Sequence, residues 1–409
     1  MDIYLVGGAV RDELLNRPIG ERDWVVVGAT PADLESRGFL PVGKDFPVFL
    51  HPETREEHAL ARLERKVAPG YRGFTTEFSP AVTLEQDLAR RDLTVNAMAK
   101  DSSGRIIDPF GGRADLERRV LRHVSDAFVE DPVRILRVAR FLARFAPLGF
   151  TVAPETLTLM RRMVDSGEAD ALVPERVWRE LARALDEASP RSAIEILRSC
   201  GALRVVLPEL DALFGVPQRP EWHPEVDTGE HTMLALQVAA GRGASQKVRF
   251  AVLAHDLGKA LTPREEWPRH HAHETRGLPA IEALCERLRV PQEHRELALL
   301  ASRFHTHVHR GLELRTSTLL ELLEHCDAFR RPARFSELLE TCECDARGRL
   351  GFEDKPYPQR VRIEEAFEIA RSVVLDEKDR HGLSGPQIGE RLRSKRLAAL
   401  KARLASRED

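Results

Sequence analysis

The fold of the first part of the chain is decided by the stretch LVGGAVRD (residues 5–12), which ERD (residues 21–23) follows closely. An apolar segment, typical of a buried strand, runs into Gly7-Gly8, a turn that a second backbone or a phosphate can approach closely. Arg11 falls in the first turn of the next helix, where its guanidinium can form a forked contact with a phosphate. The stretch therefore predicts a strand, a tight turn and a helix that together accept a phosphate.

Glu21 and Asp23 stand at the entrance to an apolar segment, residues 24–27. In an extended chain, a spacing of two places both carboxylates on one face. Two carboxylates beside a phosphate-accepting turn suit a pair of Mg2+ ions, one activating an attacking hydroxyl and one stabilising the leaving group at phosphorus. An isolated acidic pair is more often a solvated strand edge, but the neighbouring glycines and arginine favour the Mg2+ site.

Composition limits the class of protein. The chain has 409 residues, 42% of them hydrophobic and 31% charged, which is ordinary for a globular protein with roughly two to four domains. No stretch approaches a membrane span, no signal-peptide pattern occurs, and the five cysteines match no zinc spacing, so we expect reduced thiols, no membrane and a cytoplasmic location. The P-loop and dinucleotide glycine motifs are absent, which leaves ATPase and dehydrogenase functions without support.

The net charge of −3 gives no overall attraction to nucleic acid, but basic residues cluster locally. Arginines recur between residues 134 and 144 with no acidic residue among them, and residues 391–403 contain six basic residues and no acid. Either segment could contact RNA phosphates. For the second, a solvated helix end is at least as plausible.

Strand and helix patterns alternate over about the first hundred residues. Strands are predicted at residues 3–6, 24–27, 47–50, 58–63 and 105–107. Helices are predicted to begin at Thr30 and at Thr83, and residues 67–79 are predicted to be a mobile loop. From residue 115 onward only helical periodicity is found. These patterns predict an α+β protein, in which a head with a small mixed sheet precedes an all-α body.

The motif RRDLTVNA (residues 90–97) follows the head strands. Arg91 can reach a triphosphate, and Asp92 and Asn96 are four residues apart, a spacing that places both on one face of a helix. Such a face could hydrogen-bond a ribose hydroxyl. The alternative is that Asp92 only caps a helix N-terminus.

The motif EDPVRILRVARF (residues 130–141) places Asp131 and Arg134 three residues apart, so they are expected to face the same way on the next helix. Cytosine and adenine both present an amino donor beside a ring-nitrogen acceptor, which a carboxylate and an arginine complement. Guanine and uracil present the opposite pattern. The pair therefore predicts selection of C and A, although an ordinary surface ion pair has the same spacing.

The second half of the chain is rich in histidine. His255-Asp256 is predicted to lie inside a strongly apolar helix, and burying both groups is costly without a metal ion or a polar network. Further candidate ligands are spread over the same half of the chain: His231, His270, His271, His273, His305, His307 and Asp345. A metal site is favoured, while His305 and His307 could instead contact substrate or be ordinary surface histidines.

Taken together, GGAVRD with ExD, RRDLTVNA and EDPVRILRVARF resemble the bacterial tRNA CCA-adding nucleotidyltransferases, in the version with an appended HD hydrolase domain. Glu21 is a departure, because many relatives carry Asp there. The resemblance implies Mg2+ ligation and catalysis by Glu21 and Asp23. It implies nucleotide binding by Gly8, Arg11, Arg91, Asp131, Arg134, Arg137 and Arg140. It implies that the ligands of a second metal, a transition metal such as Ni2+, are His231, His255, Asp256 and Asp345.

The resemblance also implies an organisation and an activity. The expected domains are a nucleotidyltransferase head (1–140), a tRNA-binding helical neck (141–226), an HD phosphohydrolase domain (228–329) and a C-terminal helical segment (330–409). The implied activity is template-independent addition and repair of the 3′-terminal CCA of tRNA from CTP and ATP, with phosphatase and 2′,3′-cyclic phosphodiesterase activity in a monomer or homodimer. The alternatives are a bacterial poly(A) polymerase and an HD phosphohydrolase whose head only binds a ligand.

Overall fold

The computed structural model describes residues 1–42, 48–66 and 74–404. The chain divides into two compact units, Met1–Val206 and Leu207–Asp409. All the sheet structure of the described residues lies in the first unit, and the second is helical. The predicted α+β class, with a mixed-sheet head before a helical body, is confirmed. Within the described ranges, no helix combines the length and the apolar character needed to span a membrane.

The strands of the described residues are short. They are β1 (Asp2–Val6), β2 (Asp23–Val27), β3 (Leu40–Val42), β4 (Val48–Leu50), β5 (Glu57–Leu60), β6 (Arg62–Lys66), β7 (Phe74–Phe78), β8 (Ala99–Lys100), β9 (Ile106–Ile107), β10 (Val120–Leu121) and β11 (Thr151–Val152).

Seven strands form one mixed sheet in the order β3-β4-β5-β2-β1-β8-β9. Strand β2 runs parallel to β5 and antiparallel to β1. Both faces of the central strands are buried: Val25 packs into one apolar cluster and its neighbour Val26 into another on the opposite side. This double burial explains why residues 24–27 form a continuous apolar run instead of an alternating one.

Several sequence predictions differ from the structure in detail. The single strand predicted at residues 58–63 is two strands, β5 and β6. Of the predicted loop at residues 67–79, residues 67–73 lie outside the described residues, whereas residues 74–78 form β7 and pair with β6. The prediction of helices alone after residue 115 is wrong, because β10 and β11 form a small parallel pair. Such two-residue strands are too short to produce a periodicity.

The helices of the first unit are α1 (Gly8–Leu14), α2 (Pro31–Glu35), α3 (Leu84–Ala89), α4 (Gly112–Arg118), α5 (Val133–Phe145), α6 (Pro154–Asp165), α7 (Pro174–Asp186), α8 (Pro190–Ser199) and α9 (Leu203–Val206). The predicted starts at Thr30 and Thr83 are confirmed, and each residue forms a capping box with the third residue of its helix.

The helices of the second unit are α10 (Pro208–Asp211), α11 (Thr228–Gly241), α12 (Gln246–Ala254), α13 (His273–Leu288), α14 (Gln292–His309), α15 (Thr316–His325), α16 (Pro332–Arg347), α17 (Pro358–Arg371), α18 (Glu377–Arg380) and α19 (Gly385–Leu404). Helices α11, α12, α14 and α16 pack against one another around a buried apolar core. The basic run in α19 is partly neutralised within this unit: Arg393 pairs with Glu324, and Lys395 pairs with Asp379.

Two helices of the second unit approach each other closely at a glycine. A Cβ atom on Gly348, which ends α16, would lie 2.4 Å from the Cα atom of Ala235 in α11. Real Cβ contacts are not that short, so only glycine lets these backbones meet. His231 stands one turn before Ala235 and Asp345 stands three residues before Gly348. The close approach therefore brings two of the predicted metal ligands together.

We predict that Gly348→Ala separates α11 from α16 and lowers the free energy of unfolding by about 1–3 kcal/mol, the usual cost of overpacking. The measurement is urea unfolding followed by circular dichroism. Gly389→Ala is the matched control, because a Cβ on Gly389 in α19 meets nothing within 4 Å and alanine favours a helix by up to about 1 kcal/mol. Equal stabilities for the two variants would contradict the proposed close contact.

Candidate functional sites

The glycine turn brings the head motifs together. Strand pairing sets Asp23 opposite Val6, so Asp23 stands beside the turn that begins at Gly7. Gly7 has a φ of +69°, and a Cβ on it would lie 2.8 Å from Nη1 of Arg91. The N–H of Gly7 donates to the carbonyl of Met98 at 3.1 Å, which fixes the RRDLTVNA segment behind the turn. Glycine is therefore required both by the backbone conformation and by the arginine behind it.

The surroundings of Asp23 disfavour its charged form, mainly through desolvation. Its side chain is solvent-accessible, but partial desolvation together with the negative charge of Glu21 raises the pKa of Asp23, and Arg91 opposes the shift. Two carboxylates that repel each other beside an arginine favour a divalent cation. The donor set therefore fits the predicted Mg2+ site.

Arg11 is buried behind the turn. Its Nε atom donates to Asp12 at 2.9 Å and its Nη1 atom to Oδ1 of Asn96 at 2.5 Å. The guanidinium also lies over the ring of Phe145, 4.9 Å from its centre. Carboxylate, amide and ring thus hold Arg11 in one orientation next to Gly8.

Asp92 and Asn96 contact each other as predicted, with Nδ2 of Asn96 donating to Asp92 at 3.0 Å. The predicted geometry was wrong, because Asn96 ends a 3-10 helix (Thr94–Asn96) that begins after Asp92. Arg137 of α5 donates to the other oxygen of Asp92 at 2.7 Å. Burial alone would raise the pKa of Asp92, but Arg137 and Asn96 outweigh it and the pKa is lowered. A continuous network therefore links Arg11 to Arg137.

Two further arginines of α5, Arg140 and Arg144, also form ion pairs with carboxylates. Arg140 donates to Glu180 at 2.7 Å, and Arg144 donates to Asp12 at 3.0 Å. Sequence analysis missed these two carboxylates, since both lie far from the arginines along the chain. The arginine row is therefore held in place by the first unit itself.

Asp131 and Arg134 have separate partners in this structure. Helix α5 begins only at Val133, so the assumption that both residues lie on one helix was wrong. The carboxylate of Asp131 accepts hydrogen bonds from both terminal nitrogens of Arg176, at 3.1 and 2.7 Å. Arg134 is buried and donates to the carbonyls of Ala127 and Arg90. A shared role in base selection stays a prediction.

The second unit gathers histidines and aspartates in its buried interior. Nε2 of His231, in α11, lies 2.9 Å from Oδ1 of Asp345, in α16. On the other side of the ring, Nδ1 of His231 lies 2.8 Å from Oε1 of Glu225. The carboxylate of Glu225 therefore lies close to Nδ1 without hydrogen-bond geometry, while Nε2 faces Asp345.

His255 and Asp256 lie just after α12, not inside it as the apolar run suggested. Nε2 of His255 is 3.2 Å from Oδ2 of Asp256 and 3.6 Å from Oδ2 of Asp345. Burial would lower the pKa of His255, but the two aspartates raise it to about 9. Two buried carboxylates around one ring attract a cation, whether a proton or a metal ion.

Three imidazoles are anchored through the same atom. Nδ1 of His255 donates to the carbonyl of Val252 at 2.7 Å. In the same way, Nδ1 of His273 donates to the carbonyl of His270 at 2.9 Å, and Nδ1 of His305 donates to the carbonyl of Ser302 at 3.0 Å. A carbonyl can only accept, so each Nδ1 carries the hydrogen and each neutral ring presents a lone pair at Nε2.

These lone pairs converge. The Nε2 atoms of His273 and His305 are 3.2 Å apart, and Oδ1 of Asp256 lies 3.5 and 3.6 Å from them. That oxygen is buried and has no hydrogen-bond partner among the described residues. Two facing lone pairs and an orphaned carboxylate oxygen leave room for a divalent cation between them.

Two ligand groups at the predicted site fit a metal ion: His231, His255 and Asp345 form one, and Asp256, His273 and His305 form the other, with the donor atoms of each group within 4.8 Å of one another. A third set with the same spacing, His223, Glu225 and His231, lies at the Nδ1 side of the His231 ring. Imidazole nitrogen favours transition metals over Mg2+. The structure brings the four predicted ligands together and adds His273 and His305, whereas His307 is exposed and points elsewhere.

Sequence analysis missed other residues of this site. Lys259 lies 2.7 Å from Oδ2 of Asp256, and His309 lies 2.6 Å from Oδ2 of Asp345. The spacings His305-x3-His309 and Asp256-x2-Lys259 were visible signals. The site opens into a cavity of about 730 Å³, which both aspartates line.

Three family models match the chain. Residues 3–122 match the "Poly A polymerase head domain", residues 149–214 match the "Probable RNA and SrmB- binding site of polymerase A", and residues 228–331 match the "HD domain".

Known proteins match almost the whole chain. A multifunctional CCA protein of Alkalilimnicola ehrlichii is 62% identical over 98% of this chain and 97% of its own. One of Thioalkalivibrio sulfidiphilus is 60% identical over 98% of each. The solved CCA-adding enzyme of Bacillus stearothermophilus in complex with CTP has a similar fold, with a TM-score of 0.62 at 24% identity over 100% of this chain and 94% of that one. The chain therefore belongs to the family of multifunctional CCA proteins.

Proposed function

We propose that this protein adds and repairs the 3′-terminal CCA of tRNA, using CTP and ATP. The observation that carries the proposal is the convergence of Glu21 and Asp23 with Arg11 and Arg91 at the Gly7 turn. The relatives named multifunctional CCA proteins support it, as do solved CCA-adding enzymes with CTP and with tRNA. We assign the reaction to the head (1–140) and tRNA binding to the neck (141–226), in a cytoplasmic monomer or homodimer.

In this scheme, Gly8, Arg11 and Arg91 hold the triphosphate. Because Arg11 is buried against Asp12 and Asn96 in this structure, its contact with a phosphate requires those hydrogen bonds to rearrange. Glu21 and Asp23 would hold Mg2+, which supplies charge neutralisation and activation of the primer hydroxyl in a two-metal displacement. Arg137 and Arg140 present further cationic groups along α5, kept in register by Asp92 and Glu180. Orientation by fixed partners lowers the cost of organising the site when a nucleotide binds.

For base selection we propose Asp131 and Arg134. Their pairing groups complement the edges of cytosine and adenine. In this structure Asp131 is hydrogen-bonded to Arg176, and Arg134 is hydrogen-bonded to two backbone carbonyls. Binding of a base therefore requires these hydrogen bonds to break and be replaced by hydrogen bonds to the base.

For the HD domain (228–329) we propose hydrolysis of phosphate esters at the RNA terminus. The histidines and aspartates would hold a transition metal such as Ni2+, and such an ion would supply activation of a water molecule for attack on phosphorus. Water adds to a 2′,3′-cyclic phosphate, one ring P–O bond breaks, and the leaving ribose oxygen takes a proton. A second hydrolysis releases inorganic phosphate and leaves both hydroxyls free. Lys259, which lines the cavity, would stabilise charge on the phosphoryl oxygens.

We predict that Glu21→Ala with Asp23→Ala abolishes nucleotide addition, because both Mg2+ ligands are lost, and leaves HD hydrolysis intact. The measurement is sequencing of 3′ ends after incubation of tRNA lacking CCA with Mg2+ and with CTP and ATP, together or singly. Wild-type protein should add C and C and then A, whereas long A tails would instead indicate a poly(A) polymerase. Normal CCA addition by the double variant would sink the assignment.

Replacing Asp131 or Arg134 with Ala should weaken discrimination between bases more than triphosphate binding. A lost bidentate base contact is worth on the order of 1–3 kcal/mol of discrimination. The measurement is incorporation of each of the four NTPs into tRNA lacking only the terminal A. Arg176→Ala is the comparison variant, because it frees Asp131 from its partner in this structure and should therefore keep the preference for C and A. Unchanged preferences in both variants would show that the pair is only structural.

His255→Ala with Asp256→Ala should abolish hydrolysis of p-nitrophenyl phosphate and of 2′,3′-cyclic nucleotides, with CCA addition to intact tRNA nearly unchanged. The reason is that each metal group loses a ligand. Hydrolysis should respond to Ni2+, Co2+ or Mn2+, and CCA addition to Mg2+. Full hydrolysis by the variant, or none by wild-type protein with any of these metals, would leave the His–Asp cluster as a polar core network.

A further inference from the structure

The cavity above the HD ligands has an aromatic side chain at its mouth. Trp222 is 61% exposed, although burying an indole is usually favourable. It lines the same cavity as Asp256 and Asp345. A phosphate group could accept a hydrogen bond from the indole N–H but offers nothing to the face of the ring, so this exposed ring suits a ligand that also has an apolar face.

The loop that carries Trp222 is fixed in place. The backbone N–H of Gln218 donates to the carbonyl of Val226 at 2.7 Å, and the backbone N–H of His223 donates to the carbonyl of Arg219 at 2.9 Å. The side chain of Gln218 in turn accepts a hydrogen bond from Lys259 at 2.8 Å. Trp222 therefore sits on a loop tied to the floor of the cavity, and a ring stacking on it would not have to order the backbone first.

The cavity lining is also cationic beyond what a single phosphate requires. Besides the metal-site residues and Lys259, it holds two carboxylates, Glu221 and Glu313, and six cationic side chains: Arg219, Arg269, Arg310, Arg347, Arg349 and Lys355. Glu313 is already paired with Arg310 at 3.1 Å.

Arg349 differs from the other cations of the lining. Its Nε atom is buried and makes no hydrogen bond within the described part of the chain, so the Nε–H group remains available to a ligand oxygen. Arg219 and Arg269 are exposed. Several phosphates spaced along a strand would match this distribution better than one isolated phosphate ester.

We propose that the HD cavity binds the end of a single RNA strand, with a terminal base stacked on Trp222 and the neighbouring phosphates contacted by Arg219, Arg269 and Arg349. Trp222 is then a specificity-determining residue that favours nucleic-acid ends over small phosphate esters. The size of the cavity, about 730 Å³, suits a nucleotide with part of its neighbour. The inference rests on the proposed phosphohydrolase activity for its kinetic test, but binding can be measured without hydrolysis.

The kinetic test uses the full chain with Ni2+ and three substrates: an RNA trinucleotide ending in a 2′,3′-cyclic phosphate, 2′,3′-cyclic AMP, and glycerol 2-phosphate, which has no ring to stack. Trp222→Ala should lower kcat/KM by about 5- to 150-fold for the two substrates with a base and leave glycerol 2-phosphate unchanged. Trp222→Phe should restore most of the loss. Arg219→Gln with Arg349→Gln should lower kcat/KM for the trinucleotide alone, which separates a strand from a free nucleotide.

Leu312→Ala is the matched control, because Leu312 is an exposed apolar residue, 50% exposed, outside the described lining of the cavity. It should change none of the three reactions. An equal loss for all three substrates in Trp222→Ala, or no loss for any, would overturn the proposal.

The binding test is quenching of intrinsic fluorescence by a trinucleotide with a non-hydrolysable 3′-phosphorothioate end. Wild-type protein should be quenched, and Trp222→Phe should lose most of that quenching. If wild-type protein hydrolyses none of the substrates, the phosphohydrolase proposal fails, but this measurement still decides whether a strand end stacks on Trp222. Identical quenching in the two proteins would contradict it.

Discussion

Three imidazole rings of the second unit are fixed at Nδ1 by backbone carbonyls, and the chemistry of that unit depends on this constraint. Because Nδ1 must carry the hydrogen, the Nε2 atoms of His273 and His305 face each other with lone pairs at 3.2 Å, beside an orphaned oxygen of Asp256. Such an arrangement is repulsive without a cation. Glycine contacts, such as that of Gly348 with Ala235, allow the helices to approach closely enough to build it.

The site in the head is built from arginines and exposed carboxylates instead of buried imidazoles. Its carboxylates are solvent-accessible, which suits the oxygen ligands and retained water of Mg2+. Its arginines are held by buried acceptors, so that the long side chains are ordered before a nucleotide arrives: Arg11 by Asn96 and Arg137 by Asp92. One chain thus contains an open carboxylate site, to which we assign nucleotidyl transfer, and an enclosed nitrogen-rich site suited to transition metals.

Short-range patterns in the sequence predicted much of this, because they depend on neighbours along the chain. The Gly7 turn, the cap at Thr83 and the apolar strands are examples. The prediction for Asp131 and Arg134 failed in its geometry because the helix starts two residues later than the spacing assumed. His273 was only one of several candidates, since its role depends on how α13 packs against α14. Partners such as Glu180 and Glu225 come from distant segments, and no local pattern identifies them.

We propose that the two sites act in order on one RNA terminus, the HD site freeing the hydroxyl that the head then extends. The decisive experiment is 3′-end sequencing of tRNA that lacks CCA and ends in a 2′,3′-cyclic phosphate, incubated with CTP, ATP, Mg2+ and Ni2+. Wild-type protein should produce complete CCA ends, and the variant with both His255→Ala and Asp256→Ala should extend none. Extension by that variant at the wild-type rate would contradict it.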